Sequence, residues 1–504
     1  MKMKILLANP SCKKEINRGY EKYFIRAGSR WPHSSIKRKG ELPHYLPFPF
    51  FLAYTAALLL RKGFEVEVID AVALDMEKEA FLERVEKISP EFILFETTTP
   101  TVDEDLTLIE EIKRKSRSPR IILCGPHATV FYKELLKSSS AVDFIALGEY
   151  EYTILELLSA IRERRGIDNI PGLASRGKEG VVEEKSLIAP LDKLPFPSRD
   201  IFPENKSPNV QIYWDSFCQN RPAVQMHTSR GCPYHCYFCV WNQIMYRNGK
   251  YRLSSPKRVV DEMEEVINKY GAREIYFDDD DFTISRKHVL DICQEIKRRN
   301  LKVKWSCMGD AINLDEEEIY EMASSGCIGM KFGVESGSPK VLREIGKPIN
   351  LKRVKQITYW CNKYRIKTHA AFSVGLLHET EKDMEKSLKF ANGLNVDTIQ
   401  VSICTPFPGT IFYEEALKEG HLFYSSWNEF DGKSKSIIQS PDLKAERIEK
   451  FRRKFFQSWL LHSLFRPSWI MRNLYYLFRS IRGIGLKFLL ARVYDELKDE
   501  LKIK

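Results

Sequence analysis

Short apolar runs alternate with amphipathic stretches along two parts of this chain, and each series predicts a parallel α/β unit. In the first, the runs at residues 4–8, 92–96, 120–124 and 144–147 are nearly continuous in apolar residues, and 65–69 alternates Glu with Val before Ile69. Strands buried on both faces read this way, whereas half-solvated strands alternate. Between them, the apolar segment 50–61 and the charged periodic segments 76–88 and 103–115 predict helices. Strand–helix alternation gives a doubly wound parallel sheet, whose ligands sit beyond the carboxyl ends of the strands. Those ends carry Asn9-Pro10, Thr97-Thr98-Thr99-Pro100, Gly125-Pro126-His127 and Gly148-Glu149. Residues 26–47, with turns at Trp31-Pro32-His33 and Pro43-His44-Tyr45, are expected to form a long functional loop between a strand and its helix.

From 170 to 203 proline recurs and the alternation lapses, apart from strand-like pieces such as 180–183, so a connector is expected. The beat resumes six times from residue 223. Strands are predicted at 223–228, 274–277, 303–307, 329–334, 368–374 and 398–403, and helices at 256–270, 286–299, 315–325 and 351–364. Six parallel βα units make a partial barrel with its site at the carboxyl ends of the strands. Residues 444–504 mix Lys and Arg with aromatics; the helical pattern breaks at 465–469 and resumes over 474–490. That tail reads either as a helical cap on the barrel or as a basic amphipathic surface for a membrane. Nucleic acid is the weakest partner, because no RNA-binding module with its own motif is visible.

Composition narrows the class. At 504 residues the chain exceeds one ordinary core, and 43% hydrophobic with 29% charged residues suits a globular enzyme of about three domains. The longest apolar run, 48–60, contains Pro49 and is too short to span a bilayer. No export signal is visible after Met1. The eleven cysteines are therefore expected in a reducing, cytoplasmic setting where metal ligation outweighs disulfides. The net charge of +11 is moderate, and its location matters more than its size.

The candidate chemistry starts at Cys232-Pro-Tyr-His-Cys236-Tyr-Phe-Cys239, placed after the first barrel strand. Iron–sulfur clusters are held by thiolates, and a four-iron cluster normally takes four. Three would leave one iron open to a chelating small molecule. A structural zinc with His227 or His235 as fourth ligand is the alternative. After the second strand comes Asp278-Asp279-Asp280-Asp281-Phe282-Thr283, where like charges persist only if cations or donors compensate them; a solvated turn capping the next helix is the plainer reading. Glu335-Ser336-Gly337-Ser338, Gly375-Leu376-Leu377-His378 and Thr405-Pro406-Phe407-Pro408-Gly409 follow strands four to six.

The cysteine spacing with Phe238 resembles the signature of radical S-adenosylmethionine (SAM) enzymes. Asn9-Pro10, segment 47–70, Gly125-Pro126-His127-Ala128-Thr129 and Gly148-Glu149-x-Glu151-x-Thr153 resemble the cobalamin-binding domain that precedes many of them. Taken together, about four hundred residues resemble the cobalamin-dependent radical SAM enzymes. That resemblance implies a Rossmann-like cobalamin domain (1–160), a linker (161–220), a radical SAM partial TIM barrel (221–430) and a basic helical region (431–504). It implies a [4Fe-4S] cluster on Cys232, Cys236 and Cys239, with SAM on the open iron. SAM would touch Phe238, Asp279 or Asp280, Glu335, Ser336 and Gly375. Cobalamin would touch Asn9, Thr97, Thr98, Thr99, Gly125, His127, Gly148 and Glu149.

Two departures stand out. Leu377 and His378 replace the usual Pro and Gly of the turn beside the adenine. No Asp-x-His-x-x-Gly occurs, so no histidine is expected to ligate cobalt, and the lower corrin face would rest on Thr97–Thr99. The implied reaction is reductive cleavage of SAM to a 5′-deoxyadenosyl radical, followed by methyl transfer to an unactivated carbon. Oxidation, cyclisation or rearrangement without methyl transfer, and a non-catalytic cobalamin- or metal-binding protein, are the rivals. The implied partners are a small-molecule, lipid or peptide substrate and an electron donor such as ferredoxin or flavodoxin. A peripheral contact at the inner membrane face through the C-terminal region is a further implied partner.

Overall fold

A computed structural model describes residues 3–484 except 18, 27, 29–31, 42, 44, 117–118, 178–186, 204–211, 248–249 and 442. The strand-like piece at 180–183, Trp31, His44 and the end of the expected helix 474–490 therefore lie outside the described residues.

Strand β1 (Lys4–Asn9) leads into an antiparallel sheet of β2 (Lys13–Asn17), β3 (Tyr20–Ile25) and β4 (His33–Arg38). This corrects the expectation of a loop over 26–47. The sheet stayed hidden because its buried positions include charge: Lys37 is buried, paired with Glu21 and with Asp75 at 2.9 Å. Helix α1 (Phe50–Arg61), β5 (Glu65–Asp70), α2 (Lys78–Ile88), β6 (Phe92–Glu96) and α3 (Val102–Lys115) follow. After them come β7 (Arg120–Cys124), α4 (Pro126–Val130), α5 (Tyr132–Ser138), β8 (Phe144–Ala146), α6 (Glu151–Arg162) and β9 (Leu173–Ser175). The sheet runs β5-β1-β6-β7-β8-β9, parallel except for the edge strand β9, which pattern reading passed over because it is three residues long. One face packs on α1 and α6, the other on α2, α3 and α5, which is why the strands read as unbroken apolar runs.

The second unit opens with β10 (Ala223–Met226) and a two-residue pairing of β11 (Ser229–Arg230) with β12 (Arg252–Leu253). Then follow α7 (Pro256–Tyr270), β13 (Glu274–Phe277), α8 (Arg286–Arg298), β14 (Lys304–Gly309), α9 (Glu316–Ser324) and β15 (Cys327–Glu335). Helices α10 (Pro339–Glu344) and α11 (Leu351–Lys363) precede β16 (Lys367–Val374), α12 (Glu381–Gly393), β17 (Thr398–Ile403) and α13 (Ile411–Lys418). The strand order β10-β13-β14-β15-β16-β17 is sequential and parallel, and no closure of β17 on β10 occurs among the described residues. This is the open, partial barrel expected. Side-chain caps start its helices: Ser255, Ser285, Asp315 and Thr380 each accept a backbone N–H three residues on.

The two units share a core. Val240, Trp241, Ile244 and Met245 of a π-helical turn after the cysteine loop pack with α1 and with Tyr150. At the C-terminus α14 (Ala445–Leu464) buries Ile448, Phe451, Phe455 and Trp459 on the barrel, and Arg452 Nε donates to Val401 O at 2.8 Å. The cap reading holds for this helix. Helix α15 (Pro467–Ile484) restarts earlier than expected, because Pro467 suits the first turn, where no N–H is needed. No described helix is long and apolar enough to cross a membrane.

Candidate active site

The cysteine loop is shaped by backbone bonds. Gln243 Nε2 donates to the carbonyls of Cys236, Tyr237 and Cys239 at 3.1, 2.9 and 3.3 Å, and Cys239 N donates to Cys236 O at 3.1 Å. Tyr237 N bonds Ile345 O, and the hydroxyl of Tyr237 accepts from Leu377 N at 2.9 Å, tying the loop to the turn after β16. Gly346 (φ +69) approaches the loop so closely that a Cβ there would fall 2.9 Å from His235 O. Cys232, Cys236 and Cys239 remain partly exposed, while the other eight cysteines are buried. Burial pushes all three thiols up, Cys239 to about 12. A bound metal's positive charge would offset this cost and favour the thiolates. His227 stacks on Phe50 with ring centroids 3.7 Å apart, which commits it away from the zinc ligation weighed for it. Among the described residues no three His, Cys, Asp or Glu side chains gather as they would around one metal ion.

The acidic run after β13 divides its carboxylates among separate tasks. Asp279 is fully buried: Oδ1 accepts from Thr228 N at 2.6 Å and Ser229 N at 3.1 Å, and Oδ2 accepts from Thr228 Oγ1. These bonds tie it to the end of β10. Burial raises it to about 7. Asp280 stays partly exposed, and its Oδ2 accepts from Gly231 N at 2.8 Å beside Cys232. Asp281 turns to Thr283, and burial, then its neighbour Asp310, push it well up.

At the end of β15 Glu335 adopts φ +65, a conformation that non-glycine residues rarely take, where the register with β16 shifts. Its Oε1 lies 3.2 Å from Lys347 Nζ and its Oε2 accepts from Ser373 Oγ at 2.9 Å. Gly333 leaves room for this fold-back, since a Cβ there would meet Glu335 Oε1 at 2.1 Å. Burial opposes charge on Lys347, but Glu335 and Cys236 overcome it and raise its pKa. Ser336 is buried and its hydroxyl meets Ser387 Oγ of α12 at 3.0 Å. Gly375 (φ +76) donates its N–H to Glu379 Oε2 at 2.8 Å. Phe238 is partly buried against the barrel core beside Tyr237.

In the N-terminal sheet the loop after β6 is bonded inward. Thr97 Oγ1 and Thr101 Oγ1 donate to Asp105 at 2.6 and 3.1 Å, Thr98 Oγ1 pairs with Thr101 at 3.3 Å, and Thr99 Oγ1 meets His127 Nδ1 at 3.1 Å. His127 is buried beside Phe131 and Trp427, and burial holds it near 3, hence neutral. Gly125 has φ +99, and a Cβ would strike Thr97 O at 2.5 Å. The N–H of Gly148 donates to Thr129 Oγ1 at 3.1 Å. Asn9 Nδ2 donates to Asp70 at 2.9 Å, and Tyr213 OH to the other oxygen of Asp70 at 2.7 Å.

Glu149 sits in a buried cluster of charge. It is buried against Arg230 Nη1 (3.2 Å) and Arg252 Nη1 (2.8 Å), while Glu151 takes Arg230 Nη2 at 2.6 Å. These pairs clamp the sheet to the strand pair that frames the cysteine loop. The arginines hold Glu149 below its ordinary pKa against the cost of burial.

Residues 44–158 match the family model described as B12 binding domain, and residues 226–391 match the Radical SAM superfamily. This chain belongs to the cobalamin-dependent radical SAM enzymes. An uncharacterized methyltransferase of Pyrococcus horikoshii is 28% identical over 443 residues, covering 86% of this chain and 93% of the relative. An anaerobic magnesium-protoporphyrin IX monomethyl ester cyclase of Rubrivivax gelatinosus is 26% identical over 378 residues, 73% of this chain and 66% of the relative. The radical SAM methyltransferase TsrM of Kitasatospora setae, solved with cobalamin and a [4Fe-4S] cluster, shares the fold. Its TM-score is 0.65 at 18% identity, covering 93% of this chain and 90% of that one.

A radical SAM enzyme with a B12 domain uses a [4Fe-4S] cluster, SAM and cobalamin, and the residues present fit these groups. Three thiols share one loop beside Asp280 and Lys347. At the carboxyl ends of β1 and β6 the buried atoms Asn9 Oδ1, Glu96 Oε1 and Arg26 Nε and Nη2 have no protein partner. Native proteins rarely leave such atoms unbonded, and the amide side chains of a corrin offer both donors and acceptors. Sequence reasoning missed Arg26, Lys347 and the Arg230–Glu151 pair. Only Arg230, directly before Gly231-Cys232, carried a local signal.

Proposed function

We propose that this radical SAM enzyme transfers a methyl group to an unactivated carbon of a small-molecule, lipid or peptide substrate, with a ferredoxin- or flavodoxin-type protein as electron donor. The observation that carries this reading is the joint match to a B12-binding and a radical SAM domain, in a chain that aligns over most of its length with a relative named as an uncharacterized methyltransferase. When bound, the cluster and SAM supply the radical that abstracts hydrogen, and cobalamin supplies the methyl group.

The chain's own residues would hold and aim these groups. Cys232, Cys236 and Cys239 would occupy three irons, leaving the fourth for the amino and carboxylate groups of SAM. Asp280, partly exposed beside Gly231, would accept from the ammonium, and Lys347 would meet the carboxylate. Glu335 and Gly375 would border the nucleoside, with Glu335 held by Lys347 and Ser373 so that its orientation is set before SAM arrives. Asn9, Thr97–Thr99, Gly125, His127 and Gly148 would border the corrin. The units 1–160, 161–220, 221–430 and 431–504 are proposed as the working divisions, the last offering a membrane-facing surface.

Anaerobic incubation of the reconstituted chain with methyl-deuterated SAM and dithionite is expected to yield both 5′-deoxyadenosine and S-adenosylhomocysteine. The triple variant Cys232→Ala, Cys236→Ala, Cys239→Ala should lose the 5′-deoxyadenosine. Deoxyadenosine without S-adenosylhomocysteine favours ring formation or oxidation, the reading to which the cyclase relative lends weight. If neither appears, the enzyme reading itself fails.

A further inference from the structure

The barrel-facing side of helix α15 buries Tyr476 and packs Trp469 on Trp459, and polar bonds anchor it: Trp469 Nε1 donates to Asp397 O at 3.0 Å, Arg472 Nε to Asp397 Oδ1 at 2.8 Å, and Arg472 Nη2 to Asn395 Oδ1 at 2.8 Å. Its outward side is apolar. Met471 is 67% exposed, Phe478 64%, and Leu474 and Tyr475 over 40%, at spacings of three, one and three residues that keep them on one helix face. The turn from α14 continues this surface, with Phe465 84% and Leu461 60% exposed. Isolated exposed apolar residues are ordinary, but a contiguous patch of this kind marks an interaction surface.

Charge selects the occupant. Residues 450–484 contain eight Lys and Arg and no Asp or Glu. Arg452, Lys454, Arg466 and Arg472 bond the barrel side, while Arg479 and Arg482 lie on the helix that carries the apolar face. A second copy meeting this face would set like charge against like charge. A bilayer carrying anionic headgroups accepts both features at once, apolar side chains into the acyl boundary and arginines onto the headgroups.

We propose that the α14–α15 corner, led by Phe465, Met471, Leu474 and Phe478, docks on an anionic lipid bilayer. This goes beyond the methyl-transfer reading and needs neither cluster nor cobalamin, so it stands or falls separately. The test is flotation of the full chain with vesicles of phosphatidylcholine, with and without phosphatidylglycerol. Binding is expected only to the anionic vesicles, weakened but not abolished by salt, which screens the arginines and not the apolar insertion. Phe465→Glu, Met471→Glu, Phe478→Glu combined should weaken binding at least about tenfold, since each buried apolar side chain contributes on that order. These positions are exposed, so the circular dichroism spectrum should be unchanged. Arg479→Glu with Arg482→Glu should remove the preference for anionic lipid. Failure of the parent chain to bind vesicles overturns the proposal. In that event, a drop in melting temperature in the apolar variant assigns the face to residues 485–504, and loss of a concentration-dependent dimer assigns it to a second copy.

Discussion

Glu96 ends β6 deep in the N-terminal sheet, where Tyr150 OH donates to Oε2 at 2.6 Å and Oε1 has no partner. Burial, partly offset by that hydrogen bond, raises its pKa to about 7. The folded protein therefore keeps a proton that the unfolded chain, titrating near the ordinary glutamate value, has already lost. Its contribution to stability is full below about pH 4.5 and is lost as pH rises through about 7, an effect of roughly 3 kcal/mol. Glu96→Gln keeps the acceptor for Tyr150 and removes the titration. The parent should lose more of its melting temperature between pH 5 and pH 8 than this variant does; equal slopes would mean that Glu96 is ionised in the fold. At this scale the sequence was uneven as a guide. The three cysteines were legible because ligand spacing is local. Asp279 and Asp280 could not be told apart, because which carboxylate turns toward Thr228 and which stays exposed is decided by the packing of β10 against β13.

The pairing of β11 with β12 sets Arg230 opposite Arg252, an arrangement that repels unless acid lies between. Glu149 and Glu151 supply it from the far domain, and Phe51 and Tyr54 lie against the Arg230 guanidinium at 4.5 and 5.1 Å. Removing one partner of a buried charge set strands the others, at about 3–5 kcal/mol. Arg230→Met is thus expected to lower the melting temperature and the iron retained by the cysteine loop. Adding Glu149→Gln and Glu151→Gln should restore much of the stability by removing the stranded charge. An unchanged melting temperature in Arg230→Met would show that no clamp operates. Most elements of both sheets were legible within one or two residues, because buried parallel strands and amphipathic helices write their period into the chain. The β2–β4 sheet was not, because its interior pairs Lys13 and Lys37 with Glu21 and Asp75, and alternating charge reads as solvent-facing loop.

Across the whole molecule, the cobalamin domain and the barrel meet through a shared core, and the segment after the barrel returns Trp427 to His127. His127 is thereby buried and neutral with Nδ1 on Thr99, its ring packed against Phe131 and Trp427, and no Asp-x-His-x-x-Gly motif supplies a cobalt ligand. Paramagnetic resonance of the cob(II)alamin-loaded chain should show no nitrogen superhyperfine splitting. A nitrogen triplet that disappears in His127→Ala would reverse this. Local period and spacing carry the two α/β series, the order of the domains, the cysteine loop and the lack of a cobalt-ligating histidine motif, so these were legible in the chain alone. Only the tertiary structure decided which polar side chains face the site. Glu149 went to the arginines, Ser336 to α12 and Thr97 to Asp105, while Lys347 and Arg26 arrived from segments with no motif at all. Buried polar groups take whatever partner the fold brings within hydrogen-bonding reach, and that reach is set by contacts tens to hundreds of residues apart.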